Sequence, residues 1–321
     1  MGCESESEEV KAGSESERVK AREERKRDEG ATGVEMLRKA VITTAGEGTR
    51  MLPATKEQAK EMLPLFDRSV SGGVCVKPLL QIVFEQLYRF GIRDFCFITG
   101  RGKRSIEEHF TQDYAYLEYL RSKGKDDLAK ELENFYKMLD NSNIFWKYQP
   151  KPEGFGAAVL LSEPFVQDEP FLVCAGDTYI QSPANNCFKM LVSVFESANA
   201  DAAFLTFEVE NPRMYGVVEG EEVEEGVFKV KRVVEKPEEP PSSIAILPVY
   251  VFKPIIFRAL EKIPKGKGGE KQLTDGIQKL IDWGFSVYAV KLGDDERRLD
   301  IGTPEFYAEA LYLSGKWAGV L

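Results

Sequence analysis

Short apolar runs rich in β-branched and aromatic residues recur along the first two thirds of the chain. The strand-like runs lie at residues 40–44, 94–99, 144–148, 171–175 and 202–207. Stretches with helical spacing separate them, at residues 78–90, 105–110, 113–139 and 155–162. Because alternating strands and helices form parallel sheets covered on both faces, the pattern predicts an α/β fold with a Rossmann-like, mostly parallel mixed sheet.

The pattern changes after residue 210, where longer strand-like runs are joined by polar turns. These runs cover residues 227–235, 244–252 and 285–292, and helical patterns cover 254–262, 272–283 and 304–315. We therefore expect a small β-rich part to follow the first half of the sheet. The sequence shows no internal repeat, and no clear linker separates the two parts.

The first 36 residues differ from the rest of the chain. They contain seven Lys/Arg, eleven Asp/Glu and no aromatic residue. Such a segment cannot bury enough apolar surface to order itself, so residues 1–36 are predicted to be a charged, disordered tail. Residues 37–321 are predicted to form the folded domain. Met1-Gly2-Cys3 begins like a myristoylation signal, but Glu6 stands where that signal needs Ser or Thr.

The strand at residues 40–44 runs directly into Gly46-Glu47-Gly48-Thr49-Arg50, and Lys60 follows ten residues after Arg50. Two glycines let the backbone turn sharply and bring its N–H groups close to a bound group. Exposed amides together with two cations suit a polyphosphate, so the segment indicates nucleotide chemistry.

The two glycines alone fit a simple tight turn equally well. A Walker-type loop would end in Gly-Lys-Ser/Thr, which is missing here. The dinucleotide fingerprint would place a third glycine at position 51, where this chain has Met51. Both of these common nucleotide-binding loops are therefore excluded.

Composition and charge narrow the class of protein. A hydrophobic content of 43% and a charged content of 30% are typical of a soluble globular protein. No run approaches the roughly 18 apolar residues of a membrane-spanning helix, so no membrane partner is expected. The net charge of −10 argues against a nucleic-acid binder, although a nucleotide pocket needs only local positive charge.

Cysteine and histidine usage adds two expectations. The five cysteines show no CxxC spacing and no signal peptide precedes them, which favours reduced thiols in the cytoplasm. The single histidine, His109, excludes His-rich metal sites and argues against a Ser-His-Asp hydrolase. His109 lies in a predicted helix and is interpreted as structural.

Three further groups of residues are candidates for binding or catalysis. Gln149 and Gly154 lie between a strand and a helix, where a glutamine amide could pair with a pyrimidine edge or simply complete a turn. Asp177 follows a buried strand and a glycine, where a carboxylate suits a cation or a turn that caps the next segment. Glu235-Lys236 could hold a sugar phosphate, although Glu-Lys-Pro is also ordinary surface sequence.

Residues 38–313 resemble the sugar-1-phosphate nucleotidyltransferases, and most closely the bacterial-type UTP–glucose-1-phosphate uridylyltransferases. The resemblance is carried by the string from Gly46 to Pro64, by Tyr215-Gly216-Val217-Val218 and by Val234-Glu235-Lys236-Pro237. Residues 113–139 are similar to the helical insertion of the uridylyltransferases, which the shorter thymidylyltransferases lack. The resemblance implies a glycosyltransferase-A-like nucleotidyltransferase fold.

The resemblance also implies roles for individual residues. Arg50 and Lys60 would bind UTP phosphates, and Lys236 would bind the sugar phosphate. Asp177 would bind Mg²⁺, and Asp300 is a second candidate ligand that not every relative uses. Gly216, Glu235 and Lys236 form the implied sugar site. The implied nucleotide-binding residues are Ala45, Gly46, Gly48, Thr49, Gln149 and Gly154.

This chain departs from the family pattern at several places. Ala157 stands where the family usually has histidine, Thr178 where many relatives have a second aspartate, and Ser243 where they have asparagine. A Gly/Ser-rich loop at residues 69–75 is added where relatives run straight on.

The expected reaction is UTP + α-D-glucose 1-phosphate → UDP-glucose + pyrophosphate in a cytoplasmic homo-oligomer. A glucose-1-phosphate thymidylyltransferase or a broad-specificity sugar-1-phosphate nucleotidyltransferase is the alternative, because uracil and thymine differ by one methyl group. A non-catalytic nucleotide-sugar sensor would be expected to lack charged residues of the site, yet Arg50, Lys60, Asp177, Glu235 and Lys236 are all present. A membrane-tethered scaffold is supported by Met1-Gly2-Cys3 alone.

Overall fold

A nine-stranded sheet forms the centre of the computed structural model, which describes residues 37–321. Arg38–Leu321 makes up one compact unit. The strands are β1 (Lys39–Thr43), β2 (Pro64–Arg68), β3 (Val74–Pro78), β4 (Asp94–Thr99), β5 (Asn143–Tyr148), β6 (Phe171–Ala175), β7 (Thr178–Gln181), β8 (Ala202–Glu208), β9 (Gly216–Glu224), β10 (Val227–Glu235), β11 (Ile244–Phe252), β12 (Val287–Lys291) and β13 (Arg297–Asp300). The predicted tail at residues 1–36 lies outside the described residues.

The strand order in the central sheet is β5-β4-β1-β6-β11-β8-β12-β10-β9. β1 pairs in parallel with β4 and β6, and β4 pairs in parallel with β5. β10 and β11 run against their neighbours, so the other seven strands share one direction. The predicted mixed and mostly parallel sheet is confirmed. The carboxyl ends of β1, β4, β5 and β6 consequently meet at one edge.

Helices cover both faces of this sheet. They are α1 (Leu79–Phe90), α2 (Arg104–His109), α3 (Tyr114–Ser122), α4 (Asp126–Asp140), α5 (Phe155–Leu160), α6 (Glu163–Val166), α7 (Asn186–Ser197), α8 (Ile255–Lys262), α9 (Leu273–Asp282) and α10 (Pro304–Ala318). Val41 and Val173 belong to one core cluster with residues of α5, α8 and α9. Their strand neighbours Ala40, Ile42 and Leu172 are fully buried as well. Since side chains alternate along a strand, both faces of the sheet are packed.

Local sequence signals set several helix boundaries. The side chain of Thr303 accepts a hydrogen bond from the backbone N–H of Phe306 at 3.3 Å, and Pro304 occupies the first turn of α10. Gly319 ends α10 with a φ of 82°, a conformation that glycine adopts readily. The pattern predicted as one helix at residues 113–139 divides into α3 and α4, because Gly124 between them has a φ of 68°.

Two smaller antiparallel pairs flank the central sheet. β2 and β3 form a hairpin whose tip is the added Gly/Ser-rich loop. In the β7–β13 ladder, Asp300 lies opposite Thr178. This ladder brings the end of the domain back to the carboxyl end of β6. Within residues 37–321, no helix is long and apolar enough to cross a membrane.

Candidate active site

The loop after β1 is held by its neighbours. Thr44 is buried, and its hydroxyl donates to the carbonyl of Ile98 in β4 at 3.1 Å. Gly48 has a φ of 68°, and its carbonyl accepts a hydrogen bond from the Thr55 hydroxyl at 2.8 Å. The left-handed backbone at Gly48 explains the second glycine of the motif.

Lys60 lies in a short 3-10 turn, Lys60–Met62, that folds back over the glycine loop. A Cβ atom at Gly46 would stand 3.6 Å from the Nζ atom of Lys60. The Nζ atom of Lys60 also forms an ion pair with Asp177 at the end of β6. The structure therefore brings Gly46, Lys60 and Asp177 together, as the sequence predicted.

The Lys60–Asp177 pair fixes the charge of both groups. Burial opposes ionisation of Asp177, but the Lys60 ammonium outweighs that effect and holds the pKa of Asp177 below its usual range. Burial also opposes protonation of Lys60, but Asp177, with further help from Glu61 and Asp300, raises the pKa of Lys60. Both groups are consequently charged at neutral pH.

A second ion pair, between Glu61 and Lys103, lies beside the first and was missed by sequence reasoning. Their side chains are 1% and 4% exposed, and Lys103 Nζ lies 2.7 Å from Glu61 Oε2. Burial raises the pKa of Glu61, and Lys103 opposes this rise. The pair ties the Lys60 turn to the loop after β4. The sequence signal for this pair is a negative residue in the segment after β1 and a positive residue in the loop after β4.

Gln149 and Gly154 lie where the sequence predicted, after β5 and before α5. Gln149 is 7% exposed, and its Nε2 atom donates to the carbonyl of Gly154 at 3.4 Å. Gly154 has a φ of 104°, and a Cβ there would stand 2.7 Å from the carbonyl oxygen of Lys271. Gly156 donates its backbone N–H to the same carbonyl at 2.9 Å. Close backbone packing explains why both positions are glycine.

A cavity of about 350 Å³ opens at the carboxyl ends of the strands. It is lined by most of the predicted nucleotide and phosphate residues, including Ala45, Gly46, Gly48, Thr49, Arg50, Lys60, Gln149, Gly154 and Asp177. Lining residues that the sequence analysis did not assign include Glu61, Pro152, Phe155, Glu270 and Gly302.

Asp300 does not line this cavity, although Gly302, two residues further on, does. The Oδ1 atom of Asp300 accepts the backbone N–H of Gly302 at 2.6 Å, and Arg298 Nη2 lies 2.9 Å from its Oδ2 atom. Burial and the Asp177 carboxylate raise the pKa of Asp300, and Arg298 opposes that rise. Asp177 and Asp300 therefore act on each other electrostatically.

Gly216, Glu235 and Lys236 form a separate cluster at the β9–β10 edge. Glu235 Oε2 accepts from the Thr274 hydroxyl at 2.7 Å, and Lys236 Nζ lies 3.1 Å from Glu235 Oε1. A Cβ at Gly216 would stand 3.0 Å from the Thr274 hydroxyl oxygen and 3.2 Å from Glu235 Oε2. The three predicted sugar-site residues are thus neighbours, but they do not line the cavity around Lys60.

His109 and the added loop lie outside the lining of that cavity. His109 Nε2 is 2.9 Å from Gln81 Oε1, its ring stacks on Phe135, and burial lowers the pKa of His109 to about 4. These contacts support its structural interpretation. In the added loop, the N–H of Val70 donates to Glu131 in α4 at 2.6 Å. The loop therefore packs toward the helical insertion.

Comparison with known proteins identifies the family. Residues 39–314 match the nucleotidyl transferase family. This chain belongs to that family. A UTP–glucose-1-phosphate uridylyltransferase from Pseudomonas aeruginosa is 35% identical over 292 residues, covering 88% of this chain and 99% of the relative. One from Bacillus subtilis is 38% identical over 272 residues, covering 84% of this chain and 88% of the relative.

Solved structures agree with these relatives. A UDP-glucose pyrophosphorylase complexed with UDP-glucose has a TM-score of 0.74 at 31% identity, covering 88% of this chain and all of that chain. A UTP-bound UGPase from Acinetobacter baumannii has a TM-score of 0.76 at 28% identity, covering 87% of this chain and 94% of that chain. The nucleotidyltransferase fold and the resemblance to the uridylyltransferases are confirmed.

Proposed function

We propose that this protein transfers the uridylyl group of UTP to α-D-glucose 1-phosphate, which gives UDP-glucose and pyrophosphate. The observation that carries the proposal is the cavity in which the glycine loop at residues 46–50 faces the Lys60–Asp177 ion pair. Relatives named UTP–glucose-1-phosphate uridylyltransferase and a UTP-bound structural neighbour support the choice of substrates.

The phosphates of UTP are assigned to the glycine loop. The backbone of Ala45, Gly46, Gly48 and Thr49 offers N–H donors at the end of β1, where anions bind readily. The guanidinium of Arg50 would neutralise the outer phosphates, and the ammonium of Lys60 would lie near the α-phosphate. Gln149 and Gly154 would contact the uracil.

Asp177 and Asp300 fit a bound Mg²⁺. This ion prefers one or two carboxylates and takes its remaining ligands from phosphate oxygens and water. The two carboxylates act on each other electrostatically, and each also has a cation beside it, Lys60 for Asp177 and Arg298 for Asp300. When bound, Mg²⁺ would neutralise phosphate charge during the transfer.

The reaction needs charge neutralisation and alignment more than a protein base. The attacking atom is a phosphate oxygen of glucose 1-phosphate, which is ionised near neutral pH because its second pKa is about 6. A bond forms from that oxygen to the α-phosphorus of UTP. The bond from the α-phosphorus to the oxygen that bridges to the β-phosphate breaks, and pyrophosphate leaves. Lys60 would stabilise the charge that develops on the α-phosphate.

The cluster at the β9–β10 edge is assigned to the second substrate. Gly216 and Glu235 would contact the glucose hydroxyls, and the Lys236 ammonium would hold the incoming phosphate. Lys236 has a φ of 43°, a strained conformation that is common at functional sites. Residues 37–321 would be the catalytic domain of a cytoplasmic homo-oligomer.

A pyrophosphate-release assay tests the proposal directly. The protein is offered UTP or dTTP together with glucose 1-phosphate or galactose 1-phosphate, in the presence of Mg²⁺. We expect release with UTP and glucose 1-phosphate, and loss of release in Asp177→Ala. Faster release with dTTP would assign the chain to the thymidylyltransferases. No release with any pair would overturn the proposed function.

A further inference from the structure

Arg298 lies in a cage of three aromatic rings next to Asp300. Its guanidinium carbon is 4.9 Å from the ring centre of Phe207, 5.3 Å from that of Tyr215 and 5.4 Å from that of Phe306. The side chain of Arg298 is only 12% exposed. A guanidinium stacked between rings loses most of its freedom to rotate, so its position is well defined.

The three rings come from different parts of the fold. Phe207 is in β8, Phe306 is in the first turn of α10, and Tyr215 precedes Gly216 of the sugar cluster. The rings of Phe207 and Tyr215 also contact each other edge to face, with centres 5.4 Å apart. The cage therefore anchors Arg298 to the rigid sheet and to the helix that follows β13.

Arg298 and Asp300 are two residues apart in β13, so their side chains lie on the same face of the strand. Arg298 Nη2 lies 2.9 Å from Asp300 Oδ2, while the N–H of Gly302 binds Oδ1. A carboxylate has about four lone-pair sites, so these two contacts orient it and leave lone pairs for a further ligand.

We propose that Arg298 is a positioning residue that holds the Asp300 carboxylate in the orientation needed to bind a divalent cation together with Asp177. The inference rests on the proposed function, in which Asp300 is a metal ligand. Groups that orient a metal ligand commonly change metal affinity by about 10–100-fold when they are removed. Arg298 would act through Asp300 and would not contact either substrate.

The neighbouring Arg297 offers a matched control. It is in the same strand, but its side chain lies on the opposite face, where its Nη1 atom donates to the carbonyl of Glu296 at 2.7 Å. Arg297→Met and Arg298→Met thus make the same chemical change one residue apart. Arg298→Lys keeps the charge but removes the planar group that the rings clamp.

The experiment measures Mn²⁺ binding to the full chain by electron paramagnetic resonance of the free ion, with saturating UDP-glucose. We expect Arg298→Met to raise the Mn²⁺ dissociation constant about tenfold. Arg298→Lys should give a smaller rise, and Arg297→Met should stay within about twofold. In an Asp300→Asn background, Arg298→Met should have almost no further effect, because its target is gone.

Turnover gives a second readout. The Mg²⁺ concentration for half-maximal pyrophosphate release should rise in Arg298→Met, while the rate at saturating Mg²⁺ stays within about threefold. An unchanged Mn²⁺ affinity in Arg298→Met, or an equal loss in the Asp300→Asn background, would overturn the proposal. If Arg298→Met does not fold, Arg298→Lys decides by the same criteria. Mn²⁺ binding needs no turnover, so a protein that binds Mn²⁺ as expected but releases no pyrophosphate would contradict only the proposed function.

Discussion

The ammonium of Lys60 and the carboxylate of Asp177 form an ion pair across 117 residues of sequence. Lys60 follows the loop after β1, and Asp177 follows β6, which pairs in parallel with β1. Neighbouring parallel strands deliver their following residues to the same edge of a sheet, and the turn at Lys60–Met62 then brings Lys60 back to that edge. The pair sets both the charge and the geometry at the centre of the cavity.

Replacing Lys60 should affect turnover more than substrate affinity. Lys60→Met removes a fixed cation from beside the proposed position of the α-phosphate, and loss of one such donor commonly lowers kcat by about 10²–10³. Steady-state kinetics of pyrophosphate release measures this. Lys56→Met is the control, because that side chain is 77% exposed and pairs with Glu57. A Lys60→Met enzyme with a normal kcat and a raised KM would show that Lys60 contributes only uniform binding.

Removing Lys103 should destabilise the fold strongly. Lys103→Met leaves the Glu61 carboxylate buried without its close counter-ion, a change that costs about 3–5 kcal/mol. Urea unfolding followed by circular dichroism gives the free energy of unfolding. Arg104→Met is the matched control, because Arg104 is 87% exposed and its loss should change stability by less than about 0.5 kcal/mol. Equal effects of the two substitutions would contradict this prediction.

The raised pKa of Asp300 predicts a dependence of stability on pH. A carboxyl group whose pKa is higher in the folded state favours folding at low pH, and this contribution is lost as pH rises through the folded pKa. The pH range over which this contribution is lost therefore begins near 3.8, the ordinary pKa of the carboxyl group, and extends to higher pH. Asp300→Asn removes the titrating group. The stability of this variant relative to the parent protein should therefore be higher at about pH 7 than at about pH 4.

The measurement is thermal unfolding of parent and variant at both pH values. Asp177 has a lowered pKa, so its contribution has the opposite sign and is lost as pH falls. Asp177→Asn should accordingly lose more stability, relative to the parent, at about pH 7 than at about pH 4. Identical pH profiles for the two variants would be inconsistent with the assigned directions.

Gly154 should not tolerate a side chain. In Gly154→Ala the new Cβ would stand 2.7 Å from the Lys271 carbonyl oxygen, at a φ of 104°. Gly124→Ala is the control, because Gly124 has a φ of 68° and open space around it. The free energy of unfolding should fall by about 1–2 kcal/mol in Gly124→Ala, from backbone strain alone. It should fall clearly more in Gly154→Ala. Urea unfolding compares the two, and UTP binding by calorimetry should fail only in Gly154→Ala.

The charged segment before Met36 should be dispensable for catalysis. A chain that begins at Met36 retains every residue assigned to the nucleotide, the metal and the sugar. We expect its kcat and KM to lie within about twofold of the full chain, because the composition of the tail predicts disorder and none of the assigned residues lies in it. Loss of activity in the shortened chain would refute the predicted domain boundary.

The sequence predicted the placement of residues that lie in short strings at strand ends. Gly46, Gly48 and Asp177 each follow a buried strand directly, so local sequence places them at the ligand edge. Glu61–Lys103 could not be predicted in this way, because each member alone has the pattern of an ordinary surface charge. Their pairing depends on two loops that meet only in the folded chain.

Strands were missed where the hydrophobic alternation is weak. β9 is buried over its first three residues and exposed over the remaining six, so its Glu-rich half has the pattern of a polar turn. β7 and β13 have only four residues each, too few for a clear period. Arg298 was missed for a different reason, because the three rings around it come from distant positions in the sequence.

The β7–β13 ladder also has a consequence for the order of synthesis. Asp300 reaches the neighbourhood of Asp177 through the pairing of β13 with β7, a strand made more than a hundred residues earlier. A nascent chain on the ribosome therefore contains Lys60 and Asp177 long before Asp300 is made. Translation must pass β13 before the two carboxylates can act on each other, so a product that terminates before β13 would carry Asp177 without Asp300.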